Sequence, residues 1–409
     1  MQLYVQPLKN GLTILGEPSR ERQSVAFSFL IPCGSIQDSA GKEGTALLLQ
    51  DYLFKGTGDL DARKLAHRLD ALGLQRSQSV DREFSIFSGV TIGKNLHDVL
   101  KLCARILRQP NFPPEELESL RSLALQSLDA LEDSPLGKLF RELLRKFLPS
   151  PFSNSPAGTR ESLTAIAHQD IDTQFKRGYL PKGTILAFAG SFDWKEVLAL
   201  CEELFGDWVG SPPAPAQTKA QTKTVTHLEK DSEQVQIGVA YESVTPAHED
   251  YLLSRFALNV LRGGMSSRLF NEVREKRGLV YTVGAQYVTT KPFAGVACYA
   301  GSTTARAQET LDVMLTELKK LKKGAFQDEF ERAKTRIKTG LIIQGESSIS
   351  RALSLTQDWF FIGKIISVDE RLREIETVTL AKLNEHLQKW APHEFTVVTL
   401  GRNPLEVRV

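Results

Sequence analysis

Apolar positions along this chain follow two rhythms: period two or short unbroken runs, and spacings of three and four. The first predicts strands and the second amphipathic helices. Residues 2–8 and 12–17 read as strands around Lys9-Asn10-Gly11, an Asn-Gly hairpin signal. Residues 25–31 form a buried strand, and 44–54 a buried helix ended by Gly56. Asp61 caps the next helix, where Leu65, Leu69 and Leu72 share a face and Gly73 is the stop. Strands at 75–80 and 82–92 lead to helices at 95–107, 114–131 and 136–147. Pro113-Pro114 followed by two glutamates suits the start of the second of these helices. After a loop at 149–156 come one helix at 160–179, a buried strand at 184–189 and a helix at 194–205 behind an Asp193 cap.

The segment VGSPPAPAQTKAQTK (209–223) has no apolar period and reads as a linker. The second half then repeats the grammar of the first. It predicts strands at 234–241 and 294–300, and helices at 249–261, 304–322, 328–344, 350–362 and 379–390. A last strand at 395–399 matches 184–189 in order of appearance. The pattern predicts an α+β protein of two similar lobes. Each is a largely antiparallel or mixed sheet of about five to six strands, covered by helices on one face. The boundaries fall at 1–210 for the N-terminal lobe, 211–224 for the linker and 225–409 for the C-terminal lobe.

The stretch GGMSSRLFNEVREKRGLVY (263–281) places two polar groups together. Its two glycines predict a tight turn, after which Ser266 or Ser267 can cap a helix. Leu269, Phe270 and Val273 form an apolar stripe to about Lys276, and Gly278 ends the helix. A strand follows with Tyr281, Val283, Ala285 and Tyr287 on one face. The turn brings Arg274 and Tyr281 to one place. By residue type alone, Arg274 is a solvated charge at a helix end and Tyr281 a core residue. Lys276 and Arg277 read as a solvated face.

Composition narrows the possibilities. With 51 basic and 49 acidic residues the net charge is +2, which gives no reason to expect nucleic acid or an anionic membrane as partner. The longest apolar run, 25–32, is too short to span a bilayer. The first residues lack a basic segment followed by an apolar one, so no secretory signal is expected. Cys33, Cys103, Cys201 and Cys298 contain no CxxC, and each lies in or beside an apolar segment. Buried free thiols and a cytoplasmic location fit that pattern. The seven histidines form no HxxxH pair and read as surface or capping residues. No Ser, Cys or Thr sits in a nucleophile elbow.

Three segments carry a family resemblance: GTALLLQDYLFKGT (44–57), GSFDWKEVLALCEELFG (190–206) and the 263–281 stretch. With the order of elements, they resemble the pitrilysin/insulysin-type zinc peptidases, in particular the short two-lobe bacterial subunits related to the mitochondrial processing peptidase. In active members the first segment reads G-x-x-H-x-x-E-H-x-x-F-K-G-T, with two zinc-binding histidines and a glutamate as general base. Here the matching positions hold Leu47, Gln50 and Asp51. Leu47 cannot bind a metal, Gln50 cannot take a proton from water, and Asp51 alone does not make a site. The third family ligand, a glutamate on a later helix, falls at Ser127 by ungapped matching.

The resemblance implies a degenerate zinc motif and no metal or cofactor in this chain. It also implies a role for Arg274 and Tyr281. In the family, an arginine and a tyrosine at this spacing reach the zinc site from the C-terminal lobe. There they bind the scissile carbonyl as its oxyanion forms. A chain with the pair but without the zinc ligands is expected to be the zinc-free subunit of a heterodimeric metalloendopeptidase, inactive alone. A paralogous partner would carry the zinc, and the substrates would be peptides or unfolded polypeptides degraded in a closed chamber. The alternative is a non-catalytic peptide-binding or scaffold homologue, resembling the core proteins of respiratory complexes.

Overall fold

The structure, a computed structural model, describes residues 2–212, 218 and 222–407. Most of the expected linker, 213–217 and 219–221, lies outside the described residues. The chain forms two compact units. The first comprises residues 1–129, 154–217 and 344–367, the second 130–153, 218–343 and 368–409. Two segments therefore belong to the unit built mainly from the other half of the sequence.

The first unit holds strands β1 (Tyr4–Pro7), β2 (Thr13–Pro18), β3 (Ser24–Ile31), a short ribbon of β4 (Gly56–Thr57) and β5 (Leu60–Asp61), then β6 (Gln75–Val80), β7 (Ser85–Ile92) and β8 (Ile185–Gly190). Its six-stranded sheet has the order β1-β2-β8-β3-β7-β6. The second unit holds β9 (Val225–Glu229), β10 (Gln234–Ser243), β11 (Val280–Thr289), β12 (Ala294–Thr303) and β13 (Thr396–Gly401), in the order β11-β12-β10-β13-β9. Among the described strands only β2/β8 and β9/β13 pair in parallel. The series β2-β8-β3-β7-β6 and β9-β13-β10-β12-β11 are one arrangement used twice. The repeated grammar of the sequence is thus a repeated topology, in the expected α+β class.

Alternation in β3 explains how both faces are filled. Val25, Phe27, Phe29 and Ile31 join the main core with Leu48, Leu49, Tyr52 and Phe188. Ala26 and Leu30 point the other way, toward Ala352 and Leu355 of the helix Ser348–Ile362. Ser28 Oγ meets Thr356 Oγ1 at 3.4 Å on that face. Arg351 makes a bidentate bond to Glu17 of β2, with side chains 3% and 4% exposed, and also reaches the Ile366 carbonyl. In the second unit the helix Pro135–Phe147 covers the equivalent face. A Cβ at Gly238 of β10 would meet Leu143 at 3.1 Å, so glycine permits the close approach.

Some elements differ from expectation. The helix expected at 160–179 is two, Arg160–Ala165 and His168–Gly178. Ile166 leaves the helical region to bury its side chain, and Asp170 accepts from the Ala167 N–H to start the second helix. Strand β9 and the helix Val368–Thr377 were not expected, because both are short and mostly polar. All four cysteines are buried and free.

A buried polar relay ties the second unit together. Tyr287 donates to Ser243 Oγ at 2.8 Å, Ser243 donates to Ser254 Oγ at 3.4 Å, and Ser254 lies 3.1 Å from His386 Nε2. His386 Nδ1 is 3.5 Å from Asp250, which accepts from Trp390 Nε1. Burial pushes the His386 imidazole below its usual range, against the raising effect of Asp250.

Two outcomes follow from this packing. Arg351→Met leaves the Glu17 carboxylate buried and unpaired, and should cost about 3–5 kcal/mol in urea unfolding. The double variant Glu17→Leu/Arg351→Met should recover most of that loss. His386 binds its proton less tightly in the folded state, so the unfolded chain binds more protons as pH falls below about 6.5. Its contribution is therefore present above that pH and lost as pH falls toward the lower folded value. His386→Gln should flatten the pH dependence of the urea midpoint as pH falls below about 6.5.

Candidate functional site

The degenerate motif lies on the helix Thr45–Tyr52 of the first unit. Asp38 holds its start by accepting from the N–H groups of Gly44 and Ala46, and burial pushes this carboxyl up to about 7. Leu47 is half-buried and offers no donor atom. Gln50 is buried, and its amide nitrogen donates to the carbonyls of Ser79 at 3.0 Å and Ile86 at 2.8 Å. Asp51 is exposed and accepts from Gln78 at 3.1 Å. Ser127 is exposed and turned onto its own helix, donating to the Leu123 carbonyl. The donor set does not suit zinc, and among the described residues no group of three or more His, Cys, Asp or Glu could hold a metal ion.

The 263–281 stretch is built differently from the expected helix. Gly264 makes the turn at φ +105°, but neither Ser266 nor Ser267 caps. Ser267 instead donates to the Gly264 carbonyl at 2.6 Å. Residues Phe270–Glu275 form a π-helical turn, in which the Lys276 N–H reaches back to the Asn271 carbonyl. Gly278 ends it at φ +59°, as the sequence predicts. The segment is anchored by Arg268, which makes a bidentate ion pair to Glu329 and bonds the Gly324 carbonyl. Beyond the corner, Ser302 Oγ holds the Leu279 carbonyl at 2.7 Å. The β11/β12 register then slips between Val280 and Thr282.

That bulge corrects the expected strand face. Val283, Ala285 and Tyr287 pack on the core, whereas Tyr281 is the extra residue and is 83% exposed. Arg274 is also exposed, and its guanidinium carbon lies 5.8 Å from the Tyr281 ring centroid and 4.9 Å from that of Phe270. The two residues are thus brought together. Among the described residues, neither the Arg274 guanidinium nor the Tyr281 hydroxyl has a hydrogen-bond or ion-pair partner. Lys276 and Arg277, by contrast, both pair with Glu272. The hydrogen bond from Arg277, then that from Lys276, holds the Glu272 carboxyl below its usual range.

The sequence did not reveal that Ser254, His386 and Asp250 converge, since they lie far apart along it. The order of contacts matches a Ser-His-Asp relay. Ser254 is only 2% exposed, however, so no substrate reaches its hydroxyl, and the group serves the fold. Two open surface clefts lie elsewhere, one bordered by Lys223, Glu242 and His393, the other by Lys55, Arg63 and Asn111. Neither contains Leu47, Gln50, Asp51, Ser127 or a residue of the Arg274–Tyr281 pair. Among the described residues no helix is long and apolar enough to cross a membrane.

Matches to known families cover both regions. Residues 13–159 match the family described as Insulinase (Peptidase family M16), and residues 165–337 match the Peptidase M16 inactive domain. An uncharacterized zinc protease of Rickettsia bellii is 26% identical, over 98% of this chain and 98% of its own. A protease from Helicobacter pylori has the same fold, with a TM-score of 0.90 at 21% identity, covering 98% of this chain and 99% of that one. A peptidase M16 inactive domain from Pseudomonas fluorescens has a TM-score of 0.86 at 20% identity, with both chains fully covered. With two adjoining family matches, full-length relatives and a twice-used sheet topology, the chain belongs to peptidase family M16.

Proposed function

We propose that this chain is the zinc-free subunit of a two-chain metalloendopeptidase acting on peptides or unfolded polypeptides. The metal belongs to a paralogous partner, and this chain contributes Arg274 and Tyr281. A peptide carbonyl oxygen takes on negative charge as its carbon becomes tetrahedral. A guanidinium and a phenol O–H fixed beforehand near that oxygen stabilise the charge. The observation that carries this reading is the contrast within one chain. Arg274 and Tyr281 are juxtaposed, exposed and without a hydrogen-bond partner among the described residues, while Leu47, Gln50, Asp51 and Ser127 make no metal site. A cytoplasmic location belongs to the same proposal.

Purified alone, the chain should hold no stoichiometric zinc by metal analysis and should not hydrolyse peptides. Co-expression with a zinc-bearing paralogue should restore hydrolysis. In that pair, Arg274→Ala or Tyr281→Phe should lower kcat on the order of 10²–10³-fold without releasing zinc. Full activity of both variants overturns the assignment.

A further inference from the structure

Arg274 lies within one backbone insertion and shortly before another. The first is the π-helical turn Phe270–Glu275, which takes in one residue more than an α-helical turn would. The second is the β-bulge that leaves Tyr281 unpaired with β12. The corner between them is fixed: Leu279 N–H bonds the Val273 carbonyl, and Arg306 donates to the Gly278 carbonyl at 2.5 Å. Each insertion rotates the side chains that follow it relative to a regular element. The outcome is a guanidinium lying 4.9 Å from the Phe270 centroid and 5.8 Å from that of Tyr281.

The way Arg274 is held differs from that of its basic neighbours. Arg262 donates to the Ala285 carbonyl, Arg268 to Glu329, and Lys276 and Arg277 to Glu272. Those contacts consume N–H donors. Contact with the face of a ring takes up no N–H···O hydrogen bond and leaves the five guanidinium donors available. An arginine meant to grip a carbonyl oxygen needs restraint without loss of donors, and an aromatic floor supplies it. Leu269 and Val273 are buried in the core, whereas Phe270 stays half-buried beneath Arg274.

We infer that Phe270 is a positioning residue, holding Arg274 over its ring so that the guanidinium donors stay free for a peptide carbonyl. The functional half of this inference rests on the peptidase reading above; the positioning half does not. Both are tested with arginine-labelled protein. In the chain alone, the Arg274 δ-methylene protons should be shifted upfield by ring current. Phe270→Leu should largely remove that shift and Phe270→Tyr should keep it. Tyr281→Leu, at an exposed position where folding is safe, should leave part of it because Phe270 remains. In the assembled peptidase, Phe270→Leu should lower kcat on the order of 10-fold at unchanged KM, and Phe270→Tyr should restore it. Unchanged Arg274 shifts in Phe270→Leu, or their complete loss in Tyr281→Leu, overturn the positioning role whatever the activity does. The expected shifts, together with an Arg274→Ala pair that remains fully active, confirm the stack and overturn the peptidase reading instead.

Discussion

The central strands are apolar on both faces, and this constraint orders the rest of the molecule. β3 is buried along its length because alternate residues feed two cores. A single layer of helices covers one face only, so the chain must bring a further helix to the other. It does so by exchange. Residues 344–367 complete the first unit, and residues 130–153 complete the second. Apolar contacts fill such a face without fixing the helix along it. The bidentate Arg351–Glu17 pair ties one helical position to one position of β2. Such a buried pair adds little stability over an apolar pair, but its geometry tolerates less sliding.

The helix Thr45–Tyr52 keeps its place in this plan while its chemistry differs from that of the active family pattern. The Gln50 amide faces two main-chain carbonyl oxygens, those of Ser79 and Ile86. An ionised glutamate there would present only acceptors to those oxygens, so the surrounding backbone suits the amide and opposes the base. The retained frame has structural reasons of its own. Leu53 and Phe54 join the core, and the Thr57 hydroxyl reaches the carbonyls of Arg105 and Gln109. A motif can thus persist in outline because packing needs it.

Much of this was legible in the sequence, and the remainder failed for identifiable reasons. Periodicity located most strands and helices, and Asp61 and Asp193 cap as their positions predict. These features depend on neighbours within a few residues. The exchange of 130–153 and 344–367 depends on distant partners and leaves no local mark. The relay joining Ser254, His386 and Asp250 is likewise non-local, which is why a buried histidine resembled a surface one. In the 263–281 stretch, residue types showed that Arg274 and Tyr281 would meet. They did not show the π-turn or the bulge, because both are choices among backbone hydrogen bonds that the same side chains allow.

That difference matters for the site. On a regular strand Tyr281 would alternate with Val283 and share the core face; the bulge removes it from that face and leaves its ring in water. Nothing in the fold uses the ring for burial, and its hydroxyl bonds no described residue. The contact it makes is with a guanidinium whose donors are also unspent. A stabilising role would show as a filled core position or a satisfied hydrogen bond, and Tyr287 on the same strand has both. Arg274 and Tyr281 have neither. Donors left unspent among the described residues are what the proposed oxyanion role asks of a guanidinium and a phenol.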